Sequence, residues 1–137
     1  MGQVTYQRDL DGIDWQALKA VLVEDDFDNG RTPEQLRESF ANSFAVCFAI
    51  LEARVVGKAR VLSDGVCNAY MVDVWTHSPH RRQGIASEMI RRLLHDLPGQ
   101  HVYLQADDDV LPFYDDLGFK TQPNGLSRVV GRWLQGR

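Results

Sequence analysis

The chain alternates between two hydrophobic rhythms, and each change of rhythm marks an element. Val4 to Arg8 alternates apolar and polar residues and predicts a short strand. Trp15, Leu18, Val21 and Leu22 then recur at helical spacing behind Asp14, whose short carboxylate suits an N-cap. The acidic stretch Asp25-Asp26-Phe27-Asp28-Asn29-Gly30-Arg31 separates this helix from the next and reads as a solvated loop. Thr32-Pro33-Glu34-Gln35 is a helix start: a hydroxyl cap, a proline at the first position, then a carboxylate and an amide. Leu36 and Phe40 supply its buried face, and it ends near Asn42. Phe44 to Glu52 and Arg54 to Leu62 read as two strands joined by a tight turn at Ala53. Ser63-Asp64-Gly65 turns the chain toward Tyr70 to Thr76, a strand rich in β-branched and aromatic residues. Ile85, Met89, Ile90, Leu93, Leu94 and Leu97 share one helical face, and Pro98-Gly99 stops that helix. His101 to Ala106 predicts a strand, and Asp109 to Leu117 a short helix closed by Gly118. Phe119 to Gln122 and Ser127 to Leu134 predict two closing strands. The order β-α-α-β-β-β-α-β-α-β-β predicts a mixed α/β (α+β) domain around one sheet, covering residues 1–137 as a single unit.

The junction after the central strand carries the strongest chemical signal. Arg81-Arg82-Gln83-Gly84-Ile85-Ala86 lies where a strand hands the chain to a helix. The first N–H groups of a helix have no internal partner, and its dipole favours negative charge there. Two arginines and a glycine at that point suit a phosphate-bearing ligand. The nucleoside-triphosphate loop, Gly-x-x-x-x-Gly-Lys-[Ser/Thr], is absent, and so is the dinucleotide fingerprint Gly-x-Gly-x-x-Gly. The plain alternative is a solvated basic turn.

Composition narrows the partners. A net charge of −4 speaks against nucleic acid, whose binding rests on neutralising phosphates with a basic surface. It suits a cationic amine. Cys47 and Cys67 fall in predicted strands and read as buried thiols of a reducing compartment. No signal peptide or membrane span is visible, so the cytoplasm is the expected location. No His/Cys group has metal-ligand spacing, and no metal is expected.

Arg-x-x-Gly-x-Ala resembles the acyl-CoA pyrophosphate loop of the GNAT superfamily of N-acetyltransferases. Three further segments resemble the same family: Phe113-Tyr114-Asp115-Asp116-Leu117-Gly118-Phe119, Val56-Gly57-Lys58-Ala59-Arg60-Val61, and Thr32-Pro33-Glu34 followed by Asn42-Ser43. The last is similar to a bacterial subgroup of small members. The resemblance implies a GNAT-type fold and acetyl-CoA as co-substrate. It implies transfer of the acetyl group to a primary amine of a small molecule or peptide, by direct attack within a ternary complex. Val74 and Thr76 are then expected to offer backbone groups to the acetyl and pantetheine portions. Arg81, Arg82, Gln83, Gly84, Ile85 and Ala86 would cradle the pyrophosphate, with a hydroxyl contact from Ser87. Tyr114 would be the general acid toward the leaving thiolate. Small members of the family often pair, so a homodimer is an open expectation.

Two positions depart from the family's pattern. Asp107 stands seven residues before Tyr114, where an asparagine often contacts pantetheine, and an ionised carboxylate cannot donate. Tyr70 occupies the place of the usual strand glutamate, so no base is identified. These departures keep a second reading open, a non-catalytic acyl-CoA-binding or sensing module. On spacing alone, Tyr114 reads as a packing aromatic beside Phe113 and Leu117, and it is the resemblance that favours the acid role. Asp73 alternates opposite Val72 and Val74 and reads as structural. His77 and His80 flank the loop and could serve as a base or a phosphate contact, though they read first as partly exposed loop residues, and Trp15 and Trp75 read as core before substrate platform.

Overall fold

A computed structural model describes residues 2–134. Five strands form one sheet in the order β1-β2-β3-β4-β5: β1 (Thr5–Gln7), β2 (Ala45–Leu51), β3 (Arg54–Ser63), β4 (Asn68–Thr76) and β5 (His101–Tyr103). The first three pairings are antiparallel and β4–β5 is parallel. That parallel step needs a crossover, and α3 (Ile85–His95) supplies it. Helices α1 (Trp15–Glu24) and α2 (Pro33–Ala41) cover the opposite face, and α4 (Leu111–Asp116) follows β5. Both early helices begin where the caps predict. Asp14 accepts from Ala17 N–H, and Thr32 and Gln35 form a reciprocal capping box.

Two cores result. Leu18, Leu22, Leu36 and Phe40 pack on Val46, Phe48 and Trp75 between α1, α2 and the sheet. Ile85, Met89, Ile90 and Leu93 of α3 pack on Cys47, Ala49, Val56, Ala59, Val61 and Met71. Gly57 sets the closeness of this second contact. A Cβ there would lie 3.1 Å from Met89 Cε and 3.2 Å from both Ala49 Cβ and Ile85 Cγ2. Burial in this core pushes the Cys47 thiol up to about 11.

Three features differ from the sequence reading. The closing strands expected at Phe119–Gln122 and Ser127–Leu134 are not formed, and these segments are irregular and exposed. β5 ends at Tyr103 instead of Ala106, so it offers an edge of only three residues, and Pro123 cannot donate to a ladder. Cys67 lies in the exposed turn before β4 rather than buried in a strand. The carboxylate of Asp64 organises that turn by accepting the N–H groups of Val66 and Cys67 at 2.8 and 2.9 Å. Those bonds hold Asp64 down at about 2.

The third difference is in β4. The β3–β4 register steps from Arg60↔Val72 to Lys58↔Trp75, so β4 carries one extra residue. Asp73 takes a left-handed conformation there, with φ of 62°. The bulge breaks the simple alternation: Val72 shares the α1–α2 face with its partner Arg60, and Asp73 reaches the same face. Asp73 accepts from Arg31 at 2.7 and 3.1 Å, from Lys58 at 3.3 Å, and from Arg60 Nε. Its expected structural role therefore stands, with one half of the face assignment corrected. Burial alone would raise its pKa, but Lys58, Arg31 and Arg60 together hold it far below the usual carboxylate range. Burial holds Lys58 below its ordinary value, with Asp73 opposing and Arg31 assisting.

Because the folded-state pKa of Asp73 lies below the unfolded value of about 4, its contribution is complete above that pH and is lost as pH falls below it. Asp73→Asn is expected to cost about 3–5 kcal/mol at pH 7, since it leaves buried cations unpaired. In urea titrations the variant should also lose less further stability than the parent between pH 5 and pH 2. Parallel pH curves for the two proteins would contradict this.

Candidate active site

The parting of β4 from β5 makes the site. Their pairing runs Asn68↔His101, Ala69↔Val102, Tyr70↔Tyr103 and stops there. β4 continues to Thr76, so its edge from Met71 to Thr76 has no β5 partner. Apart from the carbonyls of Asp73 and Thr76, which accept from the side chains of Lys58 and Arg81, this stretch presents backbone groups without a ladder partner to the gap. Val74 and Thr76, the two backbone positions expected to meet the cofactor, both lie on this edge. The hydroxyl of Thr76 is buried and has no hydrogen-bond partner among the described residues.

The gap opens into a cleft of about 2250 Å³. That exceeds the 300–1,000 Å³ of a drug-sized site and leaves room for a long, branched ligand. Val74, Thr76, Arg81, Arg82, Gly84, Ala86, Ser87, Asp107 and Tyr114 all line it. Ile85 turns inward and is buried in the α3 core. Gln83 is exposed on the loop.

The loop's backbone is shaped for an anion. Arg82 and Gly84 are both left-handed, with φ of 64° and 82°. Such reversals gather successive N–H groups into a concavity. The N–H groups of Ile85, Ala86 and Ser87 precede the first helical bond, Glu88 N–H to Gly84 C=O at 3.0 Å. No side chain caps this end of α3. A Cβ on Gly84 would meet no atom within 4 Å, so the glycine is required by its φ and not by crowding.

Arg81 departs from a simple phosphate-binding side chain. Its guanidinium donates to Thr76 C=O at 2.9 Å and to Asp25 at 3.2 Å, and stacks over Phe27 at 5.4 Å. Arg82 remains exposed. Asp25 also accepts from the Trp75 indole at 2.9 Å and from Ser78 N–H at 3.2 Å. Burial raises its pKa, but the bonds from Ser78 and Trp75 prevail and leave it below the ordinary value. Asp25 is thus a fastening between the end of α1 and the anion loop, and not part of a solvated run. The signal for it was Trp75: a buried indole needs an acceptor. His77 and His80 flank the loop, their rings 5.8 Å apart.

Tyr114 stands in α4, half-buried, with its ring edge-on to Phe113 and Phe119 at 5.0 and 5.8 Å. Burial raises its pKa above 10, so the phenol is protonated at neutral pH. Asp107 ends the exposed segment before α4 and lines the same cleft. Among the described residues no group of His, Cys, Asp and Glu could hold a metal, and no helix is long and apolar enough to cross a membrane.

A sheet that parts beside an uncapped helix start offers a place for a long, phosphate-bearing ligand. The family model for the acetyltransferase (GNAT) family matches residues 13–119, and the chain belongs to that family, whose members use acyl-CoA. It is 31% identical over 127 residues to a chloroplastic serotonin N-acetyltransferase 2 of Oryza sativa subsp. japonica, covering 88% of this chain and 63% of that protein. It is 33% identical over 78 residues to histone acetyltransferase TAP1 of Glycine max, covering 55% of this chain and 34% of that one. The chain therefore spans from about a third to under two thirds of the length of these relatives. Among solved structures, an inferred acetyltransferase of Deinococcus radiodurans R1 matches with a TM-score of 0.80 and 28% identity, over 98% of this chain and 93% of that one. An inferred acetyltransferase of Clostridium acetobutylicum, solved with acetyl-CoA, matches with a TM-score of 0.69 at 19% identity, over 93% and 96%.

Gly84→Val forces a β-branched residue into a left-handed conformation at a local cost of about 1–2 kcal/mol. The variant should still melt cooperatively and should bind acetyl-CoA more weakly by about tenfold or more, equivalent to ~1.4 kcal/mol. Unchanged affinity by calorimetry in the folded variant would remove the loop from the binding site.

Proposed function

We propose that this chain, acting as one domain over residues 1–137, is an N-acetyltransferase that moves the acetyl group of acetyl-CoA to a primary amine. The observation that carries this reading is the convergence of three things on one cleft. They are the unpaired β4 edge at Val74, the uncapped start of α3, and the protonated phenol of Tyr114. The pyrophosphate rests on the N–H groups of the loop and of Ile85, Ala86 and Ser87. Pantetheine follows the β4 edge past Thr76. Asp107 can only accept there while ionised.

The neutral amine attacks the thioester carbonyl carbon, forming the C–N bond and an oxyanion. A backbone N–H at Val74 stabilises that oxyanion. The C–S bond then breaks, Tyr114 protonates the departing thiolate, and the amide and free CoA leave. Holding both reactants in one cleft removes much of the entropic barrier. No cysteine needs to form an acyl intermediate. Asp73 is a poor base, because three cations stabilise its carboxylate. Water in the open cleft is the group that takes the amine's proton. The relatives' names mention both a histone and serotonin, so a peptide amine and a small-molecule amine are both within the proposal. The cytoplasm, or another reducing compartment, fits the two free thiols.

Tyr114→Phe is expected to lower kcat by about 10²–10⁴-fold with little change in the Kd for acetyl-CoA. Full kcat in that variant would leave Tyr114 as a packing residue. With water as the base, kcat/KM should rise with pH toward the pKa of the free amine, and the limb should move when an amine of different pKa is supplied. A limb that stays fixed across amines would assign the proton to a group of the protein.

A further inference from the structure

We propose that Tyr70, Tyr103 and His101, on the face of the β4–β5 fork turned away from α3, form a platform for a primary amine carried on an aromatic group. The inference rests on the transfer reading given above and adds the class of acceptor to it. Ala69 and Val102 are register partners and point into the α3 core. Tyr70 and Tyr103 are the next register pair, so both project from the opposite face. That face is uncovered here: Tyr70 is 37% exposed, Tyr103 43%, and Leu62, the β3 partner of Tyr70, 39%.

The position of the pair gives it meaning. Tyr70↔Tyr103 is the last pairing before the strands part, so the two rings flank the mouth of the gap that leads to Val74. Tyr70, His101 and Tyr103 line the same cleft as the anion loop and Tyr114. The ring of Tyr103 is also held in place. His101 lies against it with centroids 4.1 Å apart and planes 33° apart, and the Tyr103 hydroxyl is hydrogen-bonded to His101 Nδ1 at 2.9 Å. A fixed aromatic surface beside an apolar Leu62 favours a flat ring that stacks on it. Asp108 and Asp109 line the cleft as well, and their carboxylates complement the ammonium group such a ring would bring. An aliphatic amine supplies the charge and has nothing to stack.

The test compares kcat/KM for 2-phenylethylamine, n-pentylamine and a lysine-containing peptide, read by thiol release from acetyl-CoA. The wild type is expected to favour 2-phenylethylamine over n-pentylamine by about tenfold. Tyr103→Ala and Tyr70→Ala should bring that ratio toward one, and Tyr103→Phe should keep it. A wild-type ratio near one, a ratio unmoved in both alanine variants, or a preference for the peptide would overturn the platform while leaving acetyl transfer intact. Sedimentation that finds a dimer which Tyr103→Ala separates, with the ratio unmoved, would assign the face to a second copy and overturn it equally. A wild type that releases thiol with none of the three acceptors would overturn the transfer reading itself.

Discussion

The carboxylate of Asp73 fixes the point from which the rest of the molecule is set out. It sits in a left-handed bulge that β4 would not adopt without compensation. Three cations from two regions of the chain supply that compensation: Arg31 from the loop before α2, and Lys58 and Arg60 from β3. The same contacts bring the helical layer onto the sheet, because Lys58 and Arg60 also lie over the ring of Phe40, at 5.9 and 5.7 Å. A buried ion cluster of this kind adds little net stability over an apolar core of the same shape. Its value is geometric. It determines which residues of β4 face which layer, and so it places Val74 on the α3 side.

From that point the site is built by omission. β5 pairs over three residues and then stops, leaving the β4 edge bare. Helix α3 begins without a side-chain cap, leaving its first N–H groups bare as well. Asp25 and Arg81 close the remaining side by fastening the loop to α1 and to Thr76. The polar groups left unsatisfied are those a phosphate and an amide-bearing ligand would satisfy. The Arg81 guanidinium takes up one of the edge groups, the Thr76 carbonyl, and its remaining charge is paired with the Asp25 carboxylate.

The helices and the first four strands were legible because their signals are local. Asp14, Thr32 with Gln35, and Pro98-Gly99 act within one turn of chain, and hydrophobic periodicity names the buried faces. The turn into α3 at Gly84 was legible for the same reason. The missed features all depend on partners distant in sequence. Asp73 reads as a strand residue until the extra residue in β4 is seen against β3. Asp25 reads as part of an acidic run until Trp75, fifty residues later, approaches it. The closing segment has strand-like residues, yet a strand needs an edge to pair with, and no composition reveals that β5 ends at Tyr103. The aromatic pair at the fork has the same origin: Tyr70 and Tyr103 are unremarkable alone and become neighbours only through a parallel register.

Gly57 carries a consequence for reach. It lies on β3 opposite Thr76, and its missing side chain lets Ile85, the first residue of α3, rest directly on the sheet. The same residue therefore touches both ends of the proposed ligand path, the β4 edge through Thr76 and the start of α3 through Ile85. In the transfer proposed above, the thickness of the molecule at this one glycine would set the distance between the phosphate anchor and the reacting carbon. Gly57 acts as a gauge block: a bulkier residue would lift the helix, lengthen the span, and leave a tethered acyl group short of the amine it is meant to meet.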